Sequence, residues 1–197
     1  MKKLITLLLL FGYLSGYAQQ KFNLSVTESQ IFWKGTPAFG YGGHEGTLKF
    51  SSGNIIVSND GKMQGGTFVI DMNSIKNTDQ KDLKGQRNLE EHLKADDFFA
   101  VSKYPQANFI ITKVQPTAQP NKYSITGNFI MKGISNQIIF TAFININKDN
   151  VVAKGDLSIY RSRWGITYKT PNFISTIKDD LIADEIPIKL DLVFKKL

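Results

Sequence analysis

Between Lys122 and Tyr160 the chain alternates apolar and polar residues in three successive runs, a pattern that few folds can accommodate. Tyr123, Ile125, Gly127, Phe129 and Met131 share one face of the first run, and Ser124, Thr126, Asn128 and Lys132 share the other. Ile138, Phe140, Ala142, Ile144 and Ile146 make the second apolar face; Val151, Ala153, Gly155, Leu157 and Ile159 make the third. Side chains alternate sides along a strand, so a period of two means a sheet with one apolar and one wetter face. Only Gly133-Ile134-Ser135-Asn136 and Asn147-Lys148-Asp149-Asn150 separate the runs. Connections that short force antiparallel neighbours. Three strands cannot hide such a face alone, so the rest of the chain must close over it.

The remaining segments supply more strands. Phe22 to Lys34 reads as a strand bent near Thr27-Glu28, with Ile31 and Trp33 on one face, and a Gly-rich loop follows over 36–46. Thr47 to Phe50 and Asn54 to Ser58 read as a second strand kinked or bulged at Gly53. Asp60-Gly61 suits the positive φ of a tight hairpin, and Gln64 to Met72 reads as the third strand. Next comes a long connection, Asn73 to Pro105. Within it Arg87 to Lys94 forms a short helix with Leu89 and Leu93 one turn apart, before the cluster Phe98-Phe99-Ala100-Val101. A long loop with its own helix and aromatics is expected to cap one end of the sheet. Ala107 to Val114 makes the fourth strand. A second irregular stretch, Arg161 to Asp180, precedes the last strand, Glu185 to Lys195, where Pro187 belongs at a strand end or bulge.

The count is eight long antiparallel strands with a short helical insertion between strands 3 and 4. An even number of long strands favours a closed barrel over a sandwich, because closure removes exposed edges. Eight strands can also enclose one small ligand. The inner face is expected to carry Trp33, Phe50, Phe68, Phe109, Tyr123, Phe129, Phe140 and Phe194. The residues alone leave open whether these side chains fill a solid core or line a hollow one.

Residues 1–18 stand apart. Lys2 and Lys3, the apolar run Leu4 to Leu14 and the small-x-small Gly16-Tyr17-Ala18 read as a cleaved signal peptide. The apolar run is short for a membrane span, and no later stretch is long and apolar enough for one. The expectation is an exported chain, periplasmic or secreted, with a single domain over 19–197. It has no cysteine, so its stability must come from a core rather than from disulfides. The net charge is +7, or +5 once Lys2 and Lys3 leave with the signal. That balance suits solubility or an anionic partner; export argues against nucleic acid.

Signals for catalysis are thin. Gly133-Ile134-Ser135-Asn136-Gln137 lacks the last glycine of a nucleophile elbow, and thiol chemistry is excluded without cysteine. His44 and His92 each adjoin a glutamate, but neither spacing fits a zinc motif, so no metal site is expected. Nor does any phosphate-cradling glycine motif imply a cofactor. Asp96-Asp97 reads as a turn after the helix.

Several blocks carry a resemblance. Asn88-Leu89-Glu90-Glu91-His92-Leu93-Lys94-Ala95-Asp96-Asp97-Phe98-Phe99, continuing through Lys103-Tyr104-Pro105 to Phe109, resembles the YceI-like family of exported bacterial proteins. Gly66 to Ile75 is similar to the strand before that family's helical insertion, and Gly127 to Ser135 to its hairpin. Ile159-Tyr160-Arg161-Ser162-Arg163-Trp164-Gly165-Ile166 is similar to its Arg-then-aromatic-Gly corner. The resemblance runs from Phe22 to Leu197 in order. It implies a lipocalin-like barrel whose hydrophobic tunnel holds a long-chain isoprenoid or other lipid. One departure is local: many members place His-Ser before the first long strand, where this chain has Thr27-Glu28-Ser29.

A lipid of that kind can carry a polar head. Arg161 and Arg163, beside Trp164 and Tyr168, are candidates to receive it, because arginine offers a planar fork of donors. Arg161 tying down the corner and Trp164 plugging the barrel is the competing reading. His44 and Arg87 are further head-group candidates. Two other functions stay open: a polyanion- or sugar-binding barrel using the basic, aromatic run Tyr160 to Lys169, and a hydrolase dependent on His44. The sequence permits a homodimer without demanding one.

Overall fold

The computed structural model describes residues 19–39, 41–170 and 181–196, so the expected signal peptide and part of the second irregular stretch lie outside the described residues. Among the described residues there are nine strands: β1 (Gln19–Leu24), β2 (Gln30–Gly35), β3 (His44–Ser58), β4 (Met63–Asn77), β5 (Gln106–Pro116), β6 (Lys122–Met131), β7 (Ile134–Ile146), β8 (Asn150–Tyr160) and β9 (Glu185–Lys196). They fill eight positions, because β1 and β2 lie end to end between β3 and β9. Phe22 pairs with Ile55 and Lys196, and Ile31 with Leu48 and Leu190. Every other strand pairs with its sequence neighbours, and β3–β4 and β1–β9 complete the ring. The result is a closed, antiparallel, up-and-down barrel.

The break between β1 and β2 falls at the expected bend. Val193 on β9 bridges it: its N–H donates to Ser29 Oγ at 3.0 Å, and its carbonyl accepts from the Ser25 N–H at 2.8 Å. Glu28 then pairs with Lys195 at 2.5 Å. On β3 the expected kink becomes register shifts against β4, one of them between Phe50 and Ser52. A Cβ at neighbouring Gly53 would press on Leu24 and Phe68. The β6–β7 connection is tighter than the sequence suggested. Lys132 and Gly133, at φ of 51° and 74°, make a two-residue turn, so β7 begins at Ile134. Two successive positive φ values match the right-handed twist of the flanking strands.

One helix, α1 (Leu83–Lys94), lies between β4 and β5. It starts four residues earlier than its leucine spacing indicated, because Asp82 caps it. The Asp82 carboxylate accepts from the N–H groups of Lys84 and Gly85. Leu89 and Leu93 turn toward the barrel, and Phe98, Phe99 and Val101 continue the contact. Two apolar clusters result. One, around Phe22, Ile55, Phe68, Val151 and Phe194, fills the end bearing the β3–β4, β5–β6 and β7–β8 hairpins. The other, around Met72, Leu93, Phe98, Trp164 and Ile166, fills the end that α1 covers.

Candidate binding cavity

The barrel is hollow. A cavity of about 170 Å³ runs between the two clusters. An apolar void of ~150 Å³ lined by leucine, isoleucine and phenylalanine is already enough to stay dry and take up a small apolar guest. Seven of the eight aromatics expected inside line it: Trp33, Phe50, Phe68, Phe109, Phe129, Phe140 and Phe194. Tyr123 does not. It keeps the inward parity but sits at the first turn of β6, half-buried against the hairpin-end cluster and off the cavity wall.

The rings form a connected chain. Phe68 lies 6.0 Å from Phe50, 6.0 Å from Phe194 and 6.2 Å from Phe109, which is 5.8 Å from Phe140. Phe109 can lie flat because Gly127 faces it; a Cβ there would come within 2.4 Å of the ring. Trp33 uses Gly46 in the same way, and its indole N–H donates to the Thr47 carbonyl at 3.3 Å. The hollow itself comes from residues that the sequence reading placed inside without weighing their size. Ala142, Ala153 and Gly155 stand together on the inner face of β7 and β8, with Ala142 opposite Gly155. Small residues at inward positions were the available signal for a void.

Ile186, Ile188, Leu190, Leu192 and Phe194 line the wall along β9. At ~3.3 Å per residue and a tilt of ~40°, that run measures roughly 20 Å along the barrel axis. The far end is packed shut by Phe22, Val57, Val151 and Phe194, none more than 2% exposed. At the α1 end Leu93, Phe98 and Phe99 form the roof. The roof is tied down at two points. The Lys132 ammonium donates to the Phe98 carbonyl at 2.5 Å, and Glu90 bonds the end of β4.

Of the proposed head-group residues, Arg161 alone lines the cavity. Its side chain is wholly buried and committed to the backbone. Nε donates to the Ala183 carbonyl at 3.0 Å, Nη1 to Ile166 at 3.0 Å and Tyr168 at 2.8 Å, and Nη2 to Ile182 at 2.9 Å. Burial pushes its pKa down from the usual arginine value, with the nearby Asp184 charge opposing. Trp164 is buried too, off the cavity, with its ring 5.3 Å from Phe129 and its N–H on the Phe129 carbonyl at 3.2 Å. Arg163 stacks over Trp164 at 5.5 Å and donates to the Gln137 carbonyl at 3.2 Å.

These contacts match the structural alternative for the corner. His44 and Arg87 are exposed and lie outside the cavity. His44 Nδ1 rests 3.1 Å from Asp79 Oδ2, with the Gln80 amide 3.4 Å away. His92 packs its ring 4.5 Å from Tyr168.

A closed eight-position barrel around an apolar hollow is the architecture of lipocalin-type ligand carriers. The YceI-like domain model matches residues 22–194, and the chain belongs to that family. The fold is similar to BcnA of Burkholderia cenocepacia, with a TM-score of 0.68 and 25% identity, covering 86% of this chain and 98% of that one. It is also similar to a polyisoprenoid-binding domain from Saccharophagus degradans, with a TM-score of 0.61 and 13% identity, covering 89% and 98% of the two chains. A UPF0312 protein of Photorhabdus laumondii is 34% identical over 53 residues, 27% of this chain and 27% of that protein. The matched stretch thus spans under a third of that curated relative.

Proposed function

We propose that this protein is a lipid carrier rather than an enzyme, and that it holds an isoprenoid or similar long hydrocarbon chain inside the barrel. The observation that carries this reading is the interior: a long, apolar hollow that the protein's own side chains leave unfilled. Transferring apolar surface out of water contributes ~0.8 kcal/mol per methylene. A dozen methylenes therefore give a gross gain of about 10 kcal/mol, from which the ordering costs of binding are subtracted. The polyisoprenoid-binding domain with the same fold supports an isoprenoid as the class of guest. Access runs through the α1 end, where loops and a helix rather than sheet close the barrel. The reading includes export, with residues 1–18 as the leader and the periplasm or exterior as the site of action.

Native mass spectrometry of protein purified from its own host tests the proposal. The expected result is an adduct with the mass of a long-chain lipid, removed by organic extraction and restored by adding prenyl chains. Repeated absence of both adduct and uptake would refute it.

A further inference from the structure

We infer that one corner of the α1 end is a docking surface, and that its partner is a phospholipid bilayer. The surface lies outside the hollow and rests on the carrier reading only for its purpose. Among the described residues the four most exposed large apolar side chains are Tyr41, Ile139, Leu83 and Phe39. Ile139 sits on the outer wall of β7, at 66% exposure. The other three fall in this one corner: Phe39 and Tyr41 on the β2–β3 loop, at 55% and fully exposed, and Leu83 at the start of α1, at 65%. Gln80 joins the two segments. Its side-chain amide lies 3.4 Å from His44, the first residue of β3, and its carbonyl accepts from the Gln86 side chain of α1 at 2.5 Å.

The β2–β3 loop is anchored at its base and turned outward beyond it. The Ala38 N–H donates to the Leu181 carbonyl at 2.8 Å, and the Thr36 carbonyl accepts from the Ala183 N–H at 2.9 Å. Gly42 and Gly43 bring the chain back to β3 at φ of 103° and 113°, and a Cβ on Gly43 would meet the Gly35 carbonyl oxygen at 2.2 Å. Three side chains of this size offer roughly 500 Å², at ~200 Å² or less each, against the ~800 Å² per partner of a stable protein interface. A bilayer needs no matching surface, and its interface takes up Tyr, Phe and Leu side chains. Lys81, Lys84 and Arg87 beside them are exposed, and their long stems can lie along the acyl boundary with the charge at head-group level. Glu45, Asp79 and Asp82 offset those three charges, so apolar contact rather than charge attraction holds the corner down. The corner stands at the end through which a guest enters, so docking brings that entrance to the membrane a hydrocarbon would leave.

The test is co-sedimentation of the protein, purified from its own host, with vesicles of phosphatidylcholine and phosphatidylglycerol at low and high salt. High salt screens the general attraction of a basic chain for an anionic surface. The expected result is that binding persists at high salt. The double variant Tyr41→Ser/Leu83→Ser weakens that salt-resistant binding at least about fivefold, while Ile139→Ser, as exposed as Leu83 but on the outer wall, changes it by less than about twofold. Binding that salt abolishes, or that Ile139→Ser weakens as much as the double variant does, would overturn the docking corner. So would a dimer that the double variant dissolves in a protein indifferent to vesicles, since the occupant would then be a second copy. Protein that carries its lipid adduct and never binds vesicles would overturn the docking corner and leave the carrier reading standing; protein that binds vesicles but neither carries nor takes up lipid would do the reverse.

Discussion

Arg161 ties four backbone carbonyls to one side chain. Its guanidinium gathers carbonyls from two separated stretches, 166–168 and 182–183, and so fixes how the chain returns from β8 to β9. Removing it would leave those carbonyls buried without a donor, and a lost bond to a charged group is worth ~1.5–3 kcal/mol. Arg161→Met is expected to destabilise the protein by about 3 kcal/mol or more in urea unfolding. Arg161→Lys should recover little of that, because a point-like ammonium cannot reproduce a planar fork. If the lysine variant unfolded at the wild-type urea concentration, the fork would not be holding the corner. Sequence reasoning raised both a head-group and a structural role for Arg161 and had no means to decide. Its partners are backbone carbonyls, and backbone leaves no trace in residue identity.

Among the elements, the strands were the legible part. Two-residue alternation placed β6 and β8 almost to the residue, and β7 apart from its first three residues, since each strand has the barrel interior on one side and water on the other. The start of α1 was less legible, because Lys84-Gly85-Gln86 has no apolar spacing and only the Asp82 cap marks it. What pins α1 is a single buried carboxylate. Glu90 Oε1 accepts the Asn77 N–H at 3.0 Å, and Oε2 accepts Lys76 Nζ at 3.1 Å. Burial alone would push the Glu90 carboxyl up, but those two donors outweigh it and hold its pKa below the usual glutamate value. A group depressed on folding adds stability above its unfolded pKa and loses it as pH falls through the folded one. Wild type should therefore exceed Glu90→Gln by about 1–2 kcal/mol at neutral pH. The gap should close as the pH drops below the usual glutamate range, in paired urea titrations. A gap that did not change with pH would mean the carboxylate's charge plays no part in seating the helix.

At the scale of the molecule, closure could be argued from strand number, but hollowness could not be argued from aromatic content. Eight inward rings would be as consistent with a packed core. What separates the two cases is where small residues meet, and pairing of Ala142 with Gly155 depends on the β7–β8 register, which the sequence leaves free to slip. Gly155 turns that difference into a measurement. A Cβ there would sit 3.4 Å from the Phe140 ring, 3.6 Å from Ala142 and 3.7 Å from Leu190, all ordinary contacts, with the void beyond. In a packed interior, Gly155→Leu would be overpacked and cost ~1–3 kcal/mol. In a hollow one, the added carbons occupy empty space. Filling a cavity commonly stabilises by ~0.5–2 kcal/mol, and a strand interior gains further when glycine is replaced. The variant is therefore expected to unfold at an equal or higher urea concentration than wild type while losing the lipid adduct in native mass spectrometry. Stability and occupancy should move in opposite directions, because the volume that weakens the free protein is the volume the ligand uses. A variant that lost stability and kept its lipid would place the guest somewhere other than this hollow.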